Sequence, residues 1–317
     1  NSSSSVNNKI DILFVVDNSA SMSPLQSQMA SKFSNFINQI KTLDYQIGVT
    51  TTDVSGNSTP YTNAGLSTPA PINGQLAKFS DGSVVLTKNS NNPSSQFITA
   101  VTRPETAKCE QYIAPFCNAS TCTGPQYSQY CPSEDTRAIK AANAALSVNN
   151  SSGLFRGADV PLNVVLLSNA DERTTGGATG YAQLAADDQP ESLIANVQAQ
   201  FPGKQLKIHS IIIKPGDTGC YNNQDQRTKN PAHDLFGWYA NIYNQAASST
   251  TGVSQSICGN FDLSAIGASV NSDDESRDLA CNPKAGTLVV SLSPASSIGH
   301  SVVATSSGGY QIGSASC

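Results

Sequence analysis

The sequence KIDILFVVDNSASMSPL, residues 9–25, decides the fold class. Its apolar stretch at residues 10–16 has the length of a strand, and such a run is typical of a parallel sheet covered on both faces. Ser23 and Pro24 predict a helix start, because the N–H that proline lacks has no partner in the first turn of a helix. The stretch therefore predicts a buried strand followed at once by a helix.

The same alternation continues along the chain. Further buried strands are predicted at residues 45–51, 162–167 and 206–213. The later helices are predicted at residues 134–147, 191–201 and 233–247. Alternating strands and helices predict an α/β fold, a doubly wound and mostly parallel sheet of Rossmann-like type. In such sheets ligands bind beyond the carboxyl ends of the strands.

Two regions depart from this pattern and set the predicted domain organisation. Residues 74–87 predict a β-hairpin, and residues 103–132 form an insertion that holds four cysteines. We expect residues 1–8 to be a flexible tether and residues 9–275 to be the main domain. Short alternating runs predict a small β appendage over residues 276–317.

The eight cysteines predict disulfides rather than a metal site, since none forms a Cys-x-x-Cys pair and none has a histidine at zinc-finger spacing. Pairing between neighbours in sequence is the simplest expectation, although sequence alone does not fix connectivity. The expected bridges are Cys109–Cys117, Cys122–Cys131, Cys220–Cys258 and Cys281–Cys317.

The amino-acid composition limits which cellular locations and which classes of binding partner we expect. Only 13% of the residues are charged and the net charge is −5, so the chain has no basic surface for nucleic acid. No apolar run reaches the length of a membrane span. We expect an extracytoplasmic monomer, secreted or at the bacterial cell surface or periplasm, and a lipid anchor or tether upstream stays open.

Oxygen-bearing side chains follow the first strand directly. Asp17, Ser19 and Ser21 alternate where the strand ends and the helix begins. Carboxylate and hydroxyl oxygens are ligands for a hard cation, and Mg²⁺ keeps part of its shell open to water. We therefore expect Mg²⁺, or alternatively Mn²⁺ or Ca²⁺, at this edge of the sheet. Helix capping is the competing interpretation of the same residues.

The stretch DILFVVDNSASMS resembles the start of a von Willebrand factor A domain with a metal-ion-dependent adhesion site, and the resemblance covers residues 9–275. It implies that Ser19 and Ser21 bind the cation directly and that Asp17 acts through water. The layout is similar to that of bacterial secreted or lipid-anchored members of the family.

The resemblance also implies two further metal loops. Ser133, before the predicted helix at 134–147, is the candidate of the second loop. In the third loop Asn169 stands where the family usually has aspartate, and Asp171 is the alternative ligand. The residues expected at the rim of the site are Thr52, Asp53 and Glu134.

The function that this resemblance implies is adhesion or recognition. The cation would bind an Asp or Glu side chain of a protein or cell-surface partner. A scaffold that has lost metal binding is the alternative, and a metal-dependent hydrolase is a third. We expect no enzyme, because the chain lacks a nucleophile elbow and a phosphate-binding loop, and His209 is expected to be a hydrogen-bonded core residue.

Overall fold

Six strands form one mixed sheet in the computed structural model. The structure describes residues 8–66, 70–116, 124–175, 182–224, 237–259, 261–275, 277–278 and 311–312. The strands of the main sheet are β1 (Lys9–Val16), β2 (Asp44–Thr51), β3 (Leu86–Thr87), β5 (Leu162–Leu167), β7 (Leu206–Ile212) and β8 (Ser254–Ser256), and β4 (Asp135–Thr136) pairs with β6 (Thr174–Thr175) in a separate short ladder.

The strand order across the main sheet is β3-β2-β1-β5-β7-β8. All neighbours are parallel except β3, which runs antiparallel to β2 at one edge. The predicted strands at residues 10–16, 45–51, 162–167 and 206–213 are thus confirmed. The predicted α/β class with a mostly parallel sheet is confirmed as well.

Helices cover the sheet on both sides. The helices are α1 (Ser23–Ile40), α2 (Thr59–Asn63), α3 (Pro93–Val101), α4 (Pro104–Ile113), α5 (Tyr127–Tyr130), α6 (Ala138–Val148), α7 (Pro190–Gln200), α8 (Thr218–Gln224), α9 (Asn241–Ser249) and α10 (Leu263–Glu275). Within the described residues, no helix has both the length and the apolar character that a membrane span requires.

Alternation along β1 separates two apolar cores. Phe14 belongs to a cluster with residues of α1, α3 and α10, whereas Leu13 and Val15 belong to a second cluster with residues of α6, α7 and α9. Successive side chains of a strand point to opposite faces, so a strand between two helical layers must be apolar at nearly every position. This explains the unbroken burial of β1 after Lys9.

Asp11 is the exception inside this apolar run. It is fully buried and pairs with Arg156, whose Nε lies 2.7 Å from Oδ1, and with Lys204, whose Nζ lies 3.0 Å from Oδ2. Buried charges persist in proteins when they are paired and hydrogen-bonded. At the amino-terminal end of the sheet, Arg156 and Lys204 therefore balance the charge of the buried Asp11 carboxylate.

The predicted hairpin at residues 74–87 is wrong. Only β3 is a strand there, and it pairs with β2 through Gln46 and Ile47. Residues 74–80 instead run as irregular chain along β2, where the N–H of Ala77 donates to the carbonyl of Val49 over 2.7 Å. A turn does form within this stretch, where Gly82 N donates to Phe79 O.

The disulfides correct two predicted bridges and confirm a third. Cys109 bonds to Cys131, so the predicted Cys109–Cys117 and Cys122–Cys131 pairs are wrong. The chain leaves α4 and returns through α5, which brings Cys131 beside the end of α4, with the two Cα atoms 4.5 Å apart. The Cys220–Cys258 bridge is confirmed. Cys117, Cys122 and the Cys281–Cys317 pair lie outside the described residues.

The predicted tether and appendage lie almost wholly outside the described residues. Of the carboxyl-terminal region, the structure describes β9 (Arg277–Asp278) and β10 (Gln311–Ile312), which pair antiparallel. The division into residues 1–8, 9–275 and 276–317 stays a prediction.

His209 on β7 is a buried core residue, as expected from sequence. Its Nε2 lies 2.8 Å from Asn163 Oδ1, and its Nδ1 accepts a hydrogen bond from Val253 N. An accepting Nδ1 requires the neutral ring, and burial lowers the pKa of His209 to about 3.

This environment predicts acid sensitivity. In the unfolded chain the His209 side chain takes up a proton near pH 6.5, and in the folded chain it does not. The free energy of unfolding that His209 contributes above pH 6.5 is therefore lost as the pH falls. Between pH 7.5 and pH 5 the advantage of the wild type over His209→Gln should shrink by about 2 kcal/mol. Urea unfolding at both pH values measures this difference, and an equal difference at both would contradict the assignment.

Candidate metal centre

The carboxyl ends of β1, β2 and β5 meet at one edge of the sheet. Asp17 N donates to Leu167 O, and Thr52 N donates to Val16 O. Because the three strands are parallel and in register, the loops that follow them lie side by side. The structure thus brings the first and third predicted metal loops together.

Asp17 is a fully buried carboxylate at this edge. Its Oδ1 accepts a hydrogen bond from Ser19 N over 2.9 Å, and its Oδ2 accepts one from Ser168 Oγ over 2.5 Å. Burial raises the pKa of Asp17 because the charged form has lost its water. Among the described residues no lysine or arginine pairs with Asp17, in contrast to Asp11.

Three oxygen-bearing side chains converge beside this carboxylate. Ser19 Oγ and Ser21 Oγ lie 3.4 Å apart. Asn169 contacts Ser21 Oγ with both ends of its amide, Oδ1 at 3.4 Å and Nδ2 at 3.1 Å. Both serines are partly exposed, whereas Asp17 and Asn169 are buried. The two serines are therefore the partly exposed members of a cluster whose other members, Asp17 and Asn169, are buried.

This arrangement fits a divalent cation. Two ligands at right angles around a cation with bonds of about 2.1–2.4 Å lie about 3.0–3.4 Å apart, and the two serine hydroxyls match the upper value. Within the described part of the chain, no three His, Cys, Asp or Glu side chains form a metal-binding group. The candidate centre depends on hydroxyl and amide oxygens, with Asp17 as its carboxylate.

Within the described residues, hydrogen bonds join Ser133 to Asp53 and Asp135 rather than to these hydroxyls. Its Oγ accepts a hydrogen bond from Asp135 N over 3.1 Å, and its N–H donates to Asp53 Oδ2 over 3.3 Å. The residue forms a local turn before β4. Its role as a metal ligand stays a prediction.

Thr136 is a second-loop candidate that the sequence reasoning missed. Helix α6 begins at Ala138 rather than at the predicted residue 134, so Thr136 is the hydroxyl residue nearest its start. It is 2% exposed. Arg173 N donates to its carbonyl, which places it beside the third loop. A correct helix boundary would have identified it.

Asp171 accepts backbone hydrogen bonds at the start of a helix, and its role as a metal ligand stays a prediction. Its carboxylate accepts hydrogen bonds from Glu172 N at 2.9 Å, Ile242 N at 3.1 Å and Tyr243 N at 3.4 Å, so it caps the start of α9. Burial raises the pKa of Asp171 to about 6. This geometry favours helix capping over metal binding, and Asn169 remains as the third-loop candidate.

Glu172 repeats this arrangement for another helix. Its carboxylate accepts from Ile139 N over 2.9 Å and from Lys140 N over 3.2 Å, at the start of α6. Burial holds the pKa of Glu172 well above its usual value. Two consecutive acids after β5 thus fix two helices on the same face of the sheet.

The expected rim residues lie close to the second loop. Asp53 is buried and accepts hydrogen bonds from Ser55 N, Tyr61 OH and Ser133 N. Thr52 is buried, and its N–H is used by the carbonyl of Val16. Glu134 is partly buried, and burial raises its pKa while a hydrogen bond from Tyr127 opposes the shift. Asp53 therefore links strand β2 to the second loop.

No protein-family model and no curated protein matches this chain. Solved structures similar to it include the proximal thread matrix protein 1 from the mussel byssus, with a TM-score of 0.40 and 11% identity over 86% of this chain. The pilus adhesin SpaC from Lactobacillus rhamnosus GG is similar with a TM-score of 0.36 and 11% identity over 84% of this chain. The chain spans 49% of the first protein and 29% of the second.

Proposed function

We propose that this chain is an extracytoplasmic adhesion module that binds an acidic group of its partner through a divalent cation. The fold we propose is the doubly wound arrangement of the von Willebrand factor A family. Two helical layers around a mostly parallel sheet and the serine pair after β1 support this assignment.

The observation that carries the proposal is the contrast between Asp17 and Asp11. Both carboxylates are fully buried, Asp11 within β1 and Asp17 directly after it, and Asp11 has two cationic partners. Asp17 has none within the described residues, and it lies below two partly exposed hydroxyls. A bound cation would neutralise Asp17, as Arg156 and Lys204 neutralise Asp11.

Each residue of the centre would have its own part in recognition. Ser19 and Ser21 would hold the cation with neutral oxygens, and Asp17 would supply the balancing charge from below. Ser168 orients Asp17, since its hydroxyl donates to Oδ2. A divalent cation bound mainly by neutral groups keeps positive charge for an outside carboxylate. The partner group would therefore be an Asp or Glu side chain of a protein or surface ligand.

The two disulfides support the proposed extracytoplasmic location. The Cys109–Cys131 and Cys220–Cys258 bridges persist in oxidising surroundings such as the periplasm or the cell surface. A low charge content is in keeping with that location.

One observation favours the scaffold as a second candidate. Asn169 Nδ2 donates to Ser21 Oγ over 3.1 Å, so the chain satisfies part of its own site. An amide in place of a carboxylate also lowers the charge that would attract a cation. In that case the sheet would serve as a spacer or assembly subunit without metal.

The proposed function predicts cation-dependent binding to carboxylates. The full chain should bind polyglutamate-coated beads in Mg²⁺ and lose that binding in EDTA, and Ser21→Ala should reduce the bound fraction about tenfold or more, because it removes a direct ligand. The matched control is Ser31→Ala, an exposed serine of α1 whose hydroxyl bonds only to Gln28 O. Binding that persists in EDTA, or equal loss in both variants, would refute the cation bridge.

A further inference from the structure

Buried side chains of α1 and α4 hold the backbone of the loop that carries Asp17, Ser19 and Ser21. Gln26 Nε2 donates to Asp17 O over 2.8 Å. Thr106 Oγ1 donates to Asn18 O over 2.9 Å. Gln26 and Thr106 are 1% and 0% exposed, so water does not compete for these carbonyls. The carbonyl groups of Asp17 and Asn18 are therefore held in place by buried side chains of α1 and α4.

The two side chains are also joined to each other and to α4. Gln26 Nε2 donates to Thr106 Oγ1 over 3.1 Å, and Gln26 Oε1 accepts from Arg103 N over 3.0 Å. Every polar atom of the Gln26 amide thus has a partner in this cluster, which restricts its rotamer. The position of the loop depends directly on the first turn of α4.

Asn18 adds a third attachment. Its Nδ2 donates to Glu105 Oε1 over 3.2 Å and to Tyr61 OH over 2.9 Å. Tyr61 OH in turn donates to Asp53 Oδ2, which also accepts from Ser133 N. This chain of hydrogen bonds runs from the first metal loop to the second.

The Cys109–Cys131 bridge closes the connection. Cys109 is on α4, one turn after Glu105 and Thr106, and Cys131 lies two residues before Ser133. Ala20 of the first loop packs against both cysteines and Ile113. Helix α4 is thereby joined covalently to the second loop and by hydrogen bonds to the first.

We propose that Gln26, Glu105 and Thr106, held by the Cys109–Cys131 bridge, are positioning residues that set the cation affinity of the Asp17–Ser21 loop. Helix α4 and this bridge then act as a clamp between the two predicted metal loops. The inference rests on the proposed function, and it assigns to these residues no contact with the cation or the ligand.

Thr106→Val tests the clamp, because valine keeps the shape and removes the hydroxyl. Partners of this kind typically change metal affinity 10- to 100-fold, so calorimetry on the full chain should show Mg²⁺ binding weakened about tenfold. Hydrogen exchange at the amides of residues 18–21 should be faster, with or without Mg²⁺.

Thr250→Val is the matched control. Thr250 Oγ1 also donates to a carbonyl, Ala246 O, and accepts from an N–H, Ile208 N. It lies near the amino-terminal end of β7, whereas the candidate metal loops follow the carboxyl ends of the strands. This variant should lose a similar amount of stability and bind Mg²⁺ like the wild type. Wild-type affinity and wild-type exchange in Thr106→Val would overturn the clamp.

Two further outcomes separate the clamp from the proposed function. If the wild type binds no Mg²⁺ while Thr106→Val still accelerates exchange at residues 18–21, the adhesion function is wrong, and these residues position the loop without setting a cation affinity. If the wild type binds Mg²⁺ and Thr106→Val binds it equally well, the function stands and the clamp is wrong.

Removing the disulfides gives an independent comparison. Replacing Cys109 and Cys131 with alanine should weaken Mg²⁺ binding about tenfold, because α4 then loses its fixed position relative to the second loop. Replacing Cys220 and Cys258 with alanine should leave the affinity within about twofold. Equal affinities of both double variants would contradict a special role of the Cys109–Cys131 bridge.

Discussion

Asp17→Asn should raise the thermal midpoint of the cation-free protein and abolish its stabilisation by Mg²⁺. The substitution keeps the size of the side chain and removes a buried charge that has no cationic partner among the described residues. A gain on the order of 1 kcal/mol corresponds to about 2–4 °C in a large domain. The Mg²⁺ effect that it removes is about 2.7 kcal/mol at a concentration 100-fold above Kd.

The sign follows from the direction of the pKa shift. Burial raises the pKa of Asp17, so the folded chain holds a proton that the unfolded chain has already lost. The contribution of Asp17 to stability therefore falls as the pH rises above its ordinary value of 3.8. Asparagine does not titrate, and the advantage of the variant without cation should grow as the pH rises above 4.

Asp11→Asn, within the strand that Asp17 follows, is the matched control. Asp11 has Arg156 and Lys204 as partners, so the substitution removes the carboxylate that pairs with the buried Lys204 and leaves Arg156 paired with Asp44. Removing one partner of a buried pair costs about 3–5 kcal/mol. Thermal scans should thus show opposite shifts for the two variants. A lower midpoint for cation-free Asp17→Asn, or an unchanged Mg²⁺ effect, would contradict this account of the carboxylate.

Asn169→Asp should increase the affinity for Mg²⁺ about tenfold or more. The amide of Asn169 is within 3.4 Å of Ser21 Oγ, so a carboxylate there would add a negative charge beside the proposed cation. The same charge is buried when no cation is bound, so the midpoint of the cation-free variant should fall. Calorimetry and thermal scans measure the two effects.

Asn196→Asp controls for the change in net charge. Asn196 is on α7, where its side chain contacts Asn143 and Gln200 rather than the metal loops. Its substitution should leave Mg²⁺ affinity unchanged. If Asn169→Asp binds Mg²⁺ no better than the wild type, Asn169 does not face the cation.

The strands of the sheet could be predicted because each one is recognisable from its own short stretch of sequence. Strands β1, β2, β5 and β7 appear in the sequence as apolar runs, and their burial on both faces produces that pattern. Asp11 was overlooked inside such a run, because its partners Arg156 and Lys204 are more than 140 residues away in the chain.

The grouping of Asp17, Ser19 and Ser21 was predictable for the same reason, since the three residues adjoin one strand end. The rest of the site depends on contacts that no spacing shows. Asp171 caps α9, which begins 70 residues later, and Cys109 bonds to Cys131 rather than to its nearest neighbour in the chain. Thr136 was missed because the start of α6 was placed four residues too early.

A crystal structure of the full chain grown in MnCl₂ would test the central claim most directly. The account predicts an anomalous difference peak for Mn²⁺ within bonding distance of the hydroxyls of Ser19 and Ser21 and next to the Asp17 carboxylate. Saturating Mn²⁺ with no peak at this loop, and Asn169 still hydrogen-bonded to Ser21, would contradict it.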